Sequence, residues 1–169
     1  MDAPTDAALY QLAEQLGSCL LAVGLRVVTA ESCTGGWIAK ALTDVAGSSA
    51  WFETGFVTYA NASKQQLVGV PSHILSEYGA VSAQTVAAMA SGALRAWPGA
   101  TLSVAVSGVA GPDGGSEAKP VGAVWFGFGD SRRGAGAMVQ TESCQFQGDR
   151  RAVRAHTVAY ALQGLQARI

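Results

Sequence analysis

The segment "TAESCTGGW", residues 29–37, joins a strand-like run to a helix-like run and decides how the chain folds. Residues 26–30 are rich in β-branched side chains, which favour a strand, whereas residues 37–42 have the composition of a helix. A strand that leads directly into a helix is the unit from which parallel α/β sheets are built. Between the two runs stand an acid, two hydroxyl side chains, a thiol and two glycines, which is a dense set of polar groups for so short a turn.

Helix-like and strand-like segments alternate along the rest of the chain, and no internal repeat or linker interrupts them. The predicted helices cover residues 6–24, about 34–45, 62–68, 72–77, 83–96 and 150–167, and the predicted strands cover 26–30, 51–59, 102–106, 123–128 and 137–146. Ser82 and Asp149 are predicted helix caps. A turn predicted at 132–136 makes the last two strands antiparallel. This order predicts an α/β fold, a single-domain three-layer α/β/α sandwich with a mixed sheet that spans residues 1–169.

The composition argues against several classes of function. The chain has 169 residues, of which 49% are hydrophobic and 14% charged, and its formal net charge is -1. It therefore lacks the basic field that holds a nucleic-acid backbone, and no nucleic-acid partner is expected. The apolar stretch at 17–28 is too short to cross a membrane, and the acidic N-terminus carries no secretory signal. We expect no membrane partner.

The cysteines and histidines argue against a metal site. Cys19, Cys33 and Cys144 lack CxxC spacing, and the chain has only two histidines, His73 and His156. A structural zinc site needs a cluster of such residues at ligand spacing, so no metal is expected. Free thiols suggest a reducing compartment, and the cytoplasm is the predicted location.

Two interpretations of the opening turn remain open from the residues alone. In the first, Ser32 or Thr34 caps the following helix, and Gly35 and Gly36 allow close packing against a strand. In the second, Ser32 is a nucleophile beside a helix N-terminus whose N–H groups stabilise an oxyanion. The G-x-S-x-G pattern of α/β-hydrolases is absent, and His156 lies among apolar neighbours in the last helix, so an ordinary Ser-His-Asp triad is not expected.

A serine nucleophile without a histidine needs another base. The segment "TYANASK", residues 58–64, offers Lys64 in the first turn of a helix and Tyr59 at a strand end. A partly desolvated lysine has a lowered pKa and can act as a base, although a solvated surface lysine is the alternative. Because ligands bind beyond the carboxyl ends of strands in such sheets, this loop is expected beside 31–36 and 107–116 along one edge.

Two further segments are candidates for binding an anion. The loop "SGVAGPDGGSEAKPVG", residues 107–122, is glycine-rich, and its N–H groups suit an anion or a planar ring; a long turn is the alternative. The last helix begins with an arginine cluster in which Arg150 and Arg154 share one face. These side chains suit phosphate or carboxylate recognition, and a salt bridge to Asp149 or Glu142 is the alternative.

Several long motifs of this chain resemble those of the CinA carboxy-terminal domain family. They are "AESCTGG", "GSSAWFETGFVTYANASK", "GAVS", "SGVAGPDGGSEAKPVGAVWFG" and "GDR", in that order, and the resemblance covers about residues 8–165. No counterpart of the amino-terminal molybdopterin-binding-like domain of full-length members precedes them, so the stand-alone form of the family is expected. The resemblance implies a serine amidohydrolase without a cofactor, in which Ser32 is the nucleophile and Lys64 the base, with Tyr59 beside them.

The stand-alone form of the family acts on nicotinamide mononucleotide (NMN). The function implied is hydrolysis of the NMN carboxamide to nicotinate mononucleotide and ammonia, in pyridine nucleotide recycling. The expected substrate-binding residues are Thr34, Gly35, Gly36, Ser107, Gly108, Gly111 and Arg150, with Arg150 supplying charge for the 5′-phosphate. The expected partner is this small molecule, and a homo-oligomer is compatible with the sequence. The alternative is a nucleotide-binding or competence-related interaction module with little or no turnover.

Overall fold

A mixed five-stranded sheet in the order β2-β1-β3-β4-β5 runs through the part of the chain that the computed structural model describes, residues 2–133 and 138–169. The strands are β1 (Val27–Glu31), β2 (Phe52–Val57), β3 (Leu102–Gly108), β4 (Ala123–Asp130) and β5 (Met138–Gln145). β1 pairs in parallel with β2 and β3, whereas β3 with β4 and β4 with β5 are antiparallel. The carboxyl ends of β1, β2 and β3 therefore lie at one edge, and the predicted mixed sheet is confirmed.

Helices cover both faces of this sheet. They are α1 (Asp6–Val23), α2 (Trp37–Thr43), α3 (Asn61–Val68), α4 (Ser72–Tyr78), α5 (Ala83–Ala96) and α6 (Arg150–Gln166). Buried side chains of α1, α2 and α6 form one core cluster with Val27 and Val104, and those of α4 and α5, with Val68 of α3, form a second with Val28 and Ala105. Successive strand residues thus point into opposite cores, as the period of two of a β-strand requires. The predicted three-layer sandwich is confirmed.

Several helix ends lie where the sequence predicts them. Ser82 caps α5 by accepting a hydrogen bond from the Thr85 N–H at 3.2 Å, and Asp149 caps α6 by accepting one from the Ala152 N–H at 2.8 Å. α1 ends at Val23 and is capped by Gly24, whose φ of 66° is a left-handed conformation that glycine adopts without strain. Both predicted side-chain caps are confirmed.

The end of β3 and the start of α2 differ from their predicted positions. β3 continues to Gly108, so the predicted loop at 107–122 begins two residues later, because both residues pair with β4. α2 begins at Trp37 and not near residue 34, since Gly35 and Gly36 have positive φ angles of 60° and 94° that a helix cannot contain. The turn predicted at 132–136 lies largely outside the described residues.

A close approach between α3 and α5 positions part of the functional edge. A Cβ atom on Gly92 of α5 would lie 1.7 Å from the carbonyl oxygen of Val68, at the end of α3. Only glycine allows the two backbones to come this near, so the contact places the end of α3 directly against α5. None of the helices within the described residues is long and apolar enough to span a membrane.

Candidate active site

A cavity of about 200 Å³ opens at the carboxyl edge of β1, β2 and β3. The residues that line it are Ser32, Cys33, Tyr59, Asn61, Lys64, Ala80, Val81, Ser107, Gly108, Ala110 and Arg150. They come from the turn after β1, the loop and helix after β2, the loop before α5, the end of β3 and the start of α6. The sheet topology thus gathers segments that are far apart in sequence, as predicted for this edge.

Ser32 and Lys64 are in direct contact inside this cavity. The Lys64 Nζ atom lies 3.1 Å from the Ser32 Oγ atom, 2.8 Å from the Thr58 carbonyl oxygen and 3.2 Å from the Tyr59 carbonyl oxygen. A neutral amine has two N–H donors and one lone pair. Two carbonyls and one hydroxyl match this set, since the lone pair can then accept the proton of the Ser32 hydroxyl. The geometry therefore suits a serine whose proton is removed by a lysine.

Burial changes the acid–base properties of Lys64. Its side chain is only 1% exposed, and loss of hydration lowers its pKa from the ordinary value of 10.5. The sequence left open whether Lys64 is a desolvated lysine or a solvated surface lysine. The structure shows that it is desolvated. A lowered pKa increases the fraction of neutral amine, which is the form that can accept a proton.

The thiol beside Ser32 is not activated in the same way. Burial raises the pKa of Cys33 to about 12, and the nearby Glu31 carboxylate adds to this effect. A thiol with such a pKa stays protonated near neutral pH, and the thiolate is the nucleophilic form. The chemistry of this turn thus favours the hydroxyl of Ser32 over the thiol that follows it.

Glu31, the last residue of β1, organises the turn through its buried carboxylate. Its two oxygens accept hydrogen bonds from the Thr29 hydroxyl (3.3 Å), the Thr34 hydroxyl (2.7 Å), and the N–H groups of Gly36 (3.0 Å), Ile38 (3.0 Å) and Ala39 (2.8 Å). The carboxylate therefore satisfies the first N–H groups of α2 and lies at the positive end of that helix. Sequence reasoning missed this role, although an acid just before a helix start could have indicated it.

This arrangement corrects both interpretations of the turn. Neither Ser32 nor Thr34 caps α2, because its N-cap is Gly36, which makes no side-chain capping bond, and the Thr34 hydroxyl donates to Glu31 instead. The N–H groups at the start of α2 are also not available to an oxyanion, since three of them donate to Glu31. The N–H groups of Cys33 and Thr34, in contrast, have no oxygen acceptor within the described residues.

Arg150 links three parts of the cavity wall. Its guanidinium donates to the Gly111 carbonyl oxygen at 2.8 Å and to the Tyr59 hydroxyl at 3.1 Å. The Tyr59 side chain is 60% exposed, and Tyr59 contacts Lys64 only through its backbone carbonyl. Within the described part of the chain, Arg150 makes neither of the alternative salt bridges, to Asp149 or Glu142. Arg150 is also one of the residues that line the cavity.

Comparison with known proteins identifies the family. The family model "CinA C-terminal domain" matches residues 9–169. The chain belongs to the CinA C-terminal domain family. It is 56% identical over 161 residues to nicotinamide-nucleotide amidohydrolase PncC of Escherichia coli strain K12, and the match covers 95% of this chain and 94% of that protein. The predicted family membership is thus confirmed, and this relative is named as an amidohydrolase.

Other members of the CinA family differ in length or provide a solved structure. A CinA-like protein of Geobacter sulfurreducens is 53% identical over 146 residues, which cover 86% of this chain and 34% of that protein. The crystal structure of the competence/damage inducible protein CihA from Agrobacterium tumefaciens matches with a TM-score of 0.89 at 43% identity, and covers 98% of this chain and 96% of that one. The fold described above is therefore the CinA family fold.

The structure brings most of the predicted site residues to the cavity, but not all of them. Ser32, Tyr59, Lys64, Ser107, Gly108 and Arg150 line it. Thr34 is fully buried behind the turn, Gly35 and Gly36 line a separate cleft, and Gly111 supports Arg150 through its carbonyl. None of these four residues lines the cavity, and their predicted role in substrate binding stays a prediction.

Sequence reasoning missed several residues that line the cavity. They are Cys33, Asn61, Ala80, Val81 and Ala110. Ala80 and Val81 belong to the "GAVS" segment, which the resemblance included without giving it a role. His156 stacks on the Phe146 ring at a centroid distance of 5.6 Å, as expected for a structural histidine. Among the described residues, no group of three or more His, Cys, Asp or Glu side chains could hold a metal ion.

Replacing Glu31 should destabilise the fold. We expect Glu31→Gln to lower the free energy of unfolding by roughly 2–4 kcal/mol, because one acceptor oxygen becomes an NH₂ group that faces buried N–H donors. Urea denaturation of both proteins measures this difference. Thr34→Val removes a single donor and leaves the carboxylate in place, so its loss should be smaller, about 1 kcal/mol. Equal stability of Glu31→Gln and wild type would contradict the role given to this carboxylate.

Proposed function

We propose that this chain hydrolyses the carboxamide of nicotinamide mononucleotide to nicotinate mononucleotide and ammonia, in the cytoplasm, as a step of pyridine nucleotide recycling. The observation that carries the proposal is the 3.1 Å contact between Lys64 Nζ and Ser32 Oγ in a cavity at the carboxyl edge of the sheet. The names of relatives that match along nearly their whole length support the substrate. The short match to the long CinA-like protein supports only the shared domain.

In the first half of the proposed reaction, Ser32 becomes acylated. Lys64 Nζ accepts the hydroxyl proton, Ser32 Oγ forms a bond to the carboxamide carbon, and the carbonyl electron pair moves onto oxygen. The tetrahedral intermediate then collapses: the C–N bond breaks, the Lys64 ammonium returns its proton to the departing nitrogen, and ammonia leaves. The cationic pyridinium ring withdraws electrons from the carbonyl carbon and so favours attack.

In the second half, water releases the product. Lys64, now neutral again, accepts a proton from a water molecule that attacks the acyl carbon, and the second tetrahedral intermediate expels Ser32 Oγ. Lys64 then returns the proton to Ser32, and nicotinate mononucleotide departs. One water is consumed and one ammonia formed, so the protonation states of Ser32 and Lys64 are restored after each turnover.

The turn after Ser32 offers donors for the oxyanion of both intermediates. The N–H groups of Cys33 and Thr34 have no oxygen acceptor among the described residues, and Cys33 lines the cavity. The residue after a nucleophilic serine commonly supplies one such donor. We assign this role to the Cys33 N–H, with Thr34 as the neighbouring donor.

The pair Ser32 and Lys64 should be required for turnover. We expect Ser32→Ala and Lys64→Ala each to lower kcat for NMN at least about a hundredfold, since each removes the nucleophile or the base. Ammonia release and chromatographic detection of nicotinate mononucleotide measure the reaction. Thermal unfolding of each variant checks that the fold is kept.

Matched controls exist for both substitutions. Ser18→Ala changes an exposed serine of α1, and Lys40→Ala changes an exposed lysine of α2, and neither residue lines the cavity. Both should retain near-normal kcat. If the wild-type protein binds NMN but releases no ammonia, the alternative of a binding module with little turnover is favoured. Near-normal activity of either site variant would reject the dyad.

The pH dependence should report the titration of Lys64. The base must be neutral, so kcat/KM rises with pH through the pKa of Lys64, and burial places this rise below the ordinary lysine value of 10.5. Initial rates on NMN between neutral pH and pH 10.5, corrected for uncatalysed breakdown, test this. The residual activity of Lys64→Ala should lack the rise. A midpoint at or above 10.5 would contradict a desolvated base.

We propose that Arg150 binds the 5′-phosphate of NMN. We expect Arg150→Ala to raise KM for NMN at least about tenfold and to leave the phosphate-free riboside almost unaffected, because a charge-assisted bond to phosphate is lost. Steady-state kinetics on both substrates measure the difference. Tyr59→Phe removes the hydroxyl that Arg150 contacts and keeps the guanidinium, so it should preserve the preference for NMN. Equal damage to both substrates in Arg150→Ala would make Arg150 structural.

A further inference from the structure

Arg154 of α6 lies outside the cavity and holds the turn that carries Ser32. Its Nε atom donates to the Cys33 carbonyl oxygen at 3.1 Å, and its NH2 atom donates to the Thr34 carbonyl oxygen at 2.7 Å. Arg154 lines a cleft with Gly35 and other residues, whereas it is absent from the lining of the cavity around Ser32. One planar guanidinium therefore fixes two successive peptide groups directly after the serine.

These contacts determine which way the N–H groups of the turn point. Both peptide bonds are trans, so each N–H points away from the carbonyl oxygen of the same peptide group. The Ser32 carbonyl is held by the Gly35 N–H at 3.1 Å, and the Cys33 carbonyl by Arg154. The N–H groups of these two peptides belong to Cys33 and Thr34, which have no oxygen acceptor within the described residues. The turn is thus held with two N–H groups that no oxygen of the described residues accepts.

The charge of Arg154 also acts on this turn. Within the described residues the guanidinium pairs with no carboxylate; its other neighbour is the Trp37 ring, 5.3 Å from its central carbon. Burial raises the pKa of the Cys33 thiol and the Glu31 carboxylate adds to this effect, whereas Arg154 lowers it. Arg154 therefore favours negative charge at the residue next to Ser32.

We propose that Arg154 is a positioning residue for acyl transfer at Ser32. By holding the Cys33 carbonyl it fixes the Thr34 N–H of the same peptide group, and by holding the Thr34 carbonyl it fixes the Gly35 N–H, which holds the Ser32 carbonyl and thereby the Cys33 N–H. Arg154 thus presents the Cys33 and Thr34 N–H groups to the developing oxyanion and stabilises its charge. This inference rests on the proposed amidohydrolase function and adds a residue to it. Arg154 does not line the cavity around Ser32, so we expect its contribution to concern the transition state rather than substrate binding.

The test compares three variants of the full chain. We expect Arg154→Met to lower kcat for NMN by about thirtyfold or more with KM within about threefold of wild type, on the scale of a lost oxyanion donor. Arg154→Lys keeps the charge but cannot hold both carbonyls, so it should remain about tenfold or more below wild type. Arg151→Met, an exposed arginine that does not contact the turn, serves as the matched control and should be near normal.

Two further readouts separate positioning from a merely structural effect. The pH midpoint of kcat/KM should stay at the wild-type value in Arg154→Lys and Arg154→Met, because Lys64 keeps its contacts. The rate at which an alkyl fluorophosphonate labels Ser32, followed by mass spectrometry of the intact protein, should fall in parallel with kcat, since its P=O oxygen uses the same donors. Thermal unfolding identifies a variant that fails to fold, and Arg154→Lys then carries the test.

Several outcomes would overturn the proposal. They are a kcat of Arg154→Met within about threefold of wild type, a rise in KM that matches the fall in kcat, full activity of Arg154→Lys, or a shifted pH midpoint. If wild-type protein releases no ammonia from NMN, the proposed function fails. The labelling rates of Ser32 in wild type and variants then still decide the role of Arg154.

Discussion

The buried carboxylate of Glu31 is the interaction on which the site depends. It ends β1, is 1% exposed and accepts five hydrogen bonds from side chains and N–H groups between residues 29 and 39. Bonds to a charged acceptor contribute about 1.5–3 kcal/mol each, so this set can offset the cost of burying the charge. Glu31 occupies the start of α2 and so holds the turn between strand and helix, and Ser32 in this turn lines the cavity.

Lys64 is surrounded by a different kind of environment, one that favours its neutral form. Among the described residues no carboxylate contacts its amine. Two carbonyl oxygens and a hydroxyl surround its amine. A neutral lysine matches them, because its two N–H groups can donate to the carbonyls and its lone pair can accept from the hydroxyl. Thr58 supplies one of the carbonyls and is itself fixed to the Glu31 carbonyl oxygen by its N–H at 2.7 Å and its hydroxyl at 3.3 Å. The strand end that carries Glu31 therefore positions both members of the dyad, one through its carboxylate and the other through its backbone.

Much of the fold could be predicted from the sequence, because strand and helix periods, glycine stops and the Ser82 cap are local signals. The loop at 107–122 was predicted too long, since Ser107 and Gly108 are strand residues only by pairing with β4, which is a long-range contact. The site was less accessible from residues alone. Burial of Lys64 depends on α3 docking against α5 at Gly92, and the five bonds of Glu31 depend on how the turn curls in space. The resemblance supplied the roles of Ser32 and Lys64, and nothing in it indicated where Thr34 points.

At the start of α6, hydrogen bonds from arginines to distant backbone carbonyls outweigh the local preference against positive charge at a helix N-terminus. Cations in the first turn of a helix oppose its dipole, at a cost of about 0.3–1 kcal/mol each. Arg150 and Arg154 instead donate to backbone carbonyls of the loop at Gly111 and of the turn after Ser32, and each charged hydrogen bond contributes about 1.5–3 kcal/mol. The long-range bonds are the larger effect, so the helix tolerates the unfavourable placement. The first two turns of α6 therefore connect the loop at Gly111 to the turn after Ser32. A shift of either segment would then be transmitted to the other through α6.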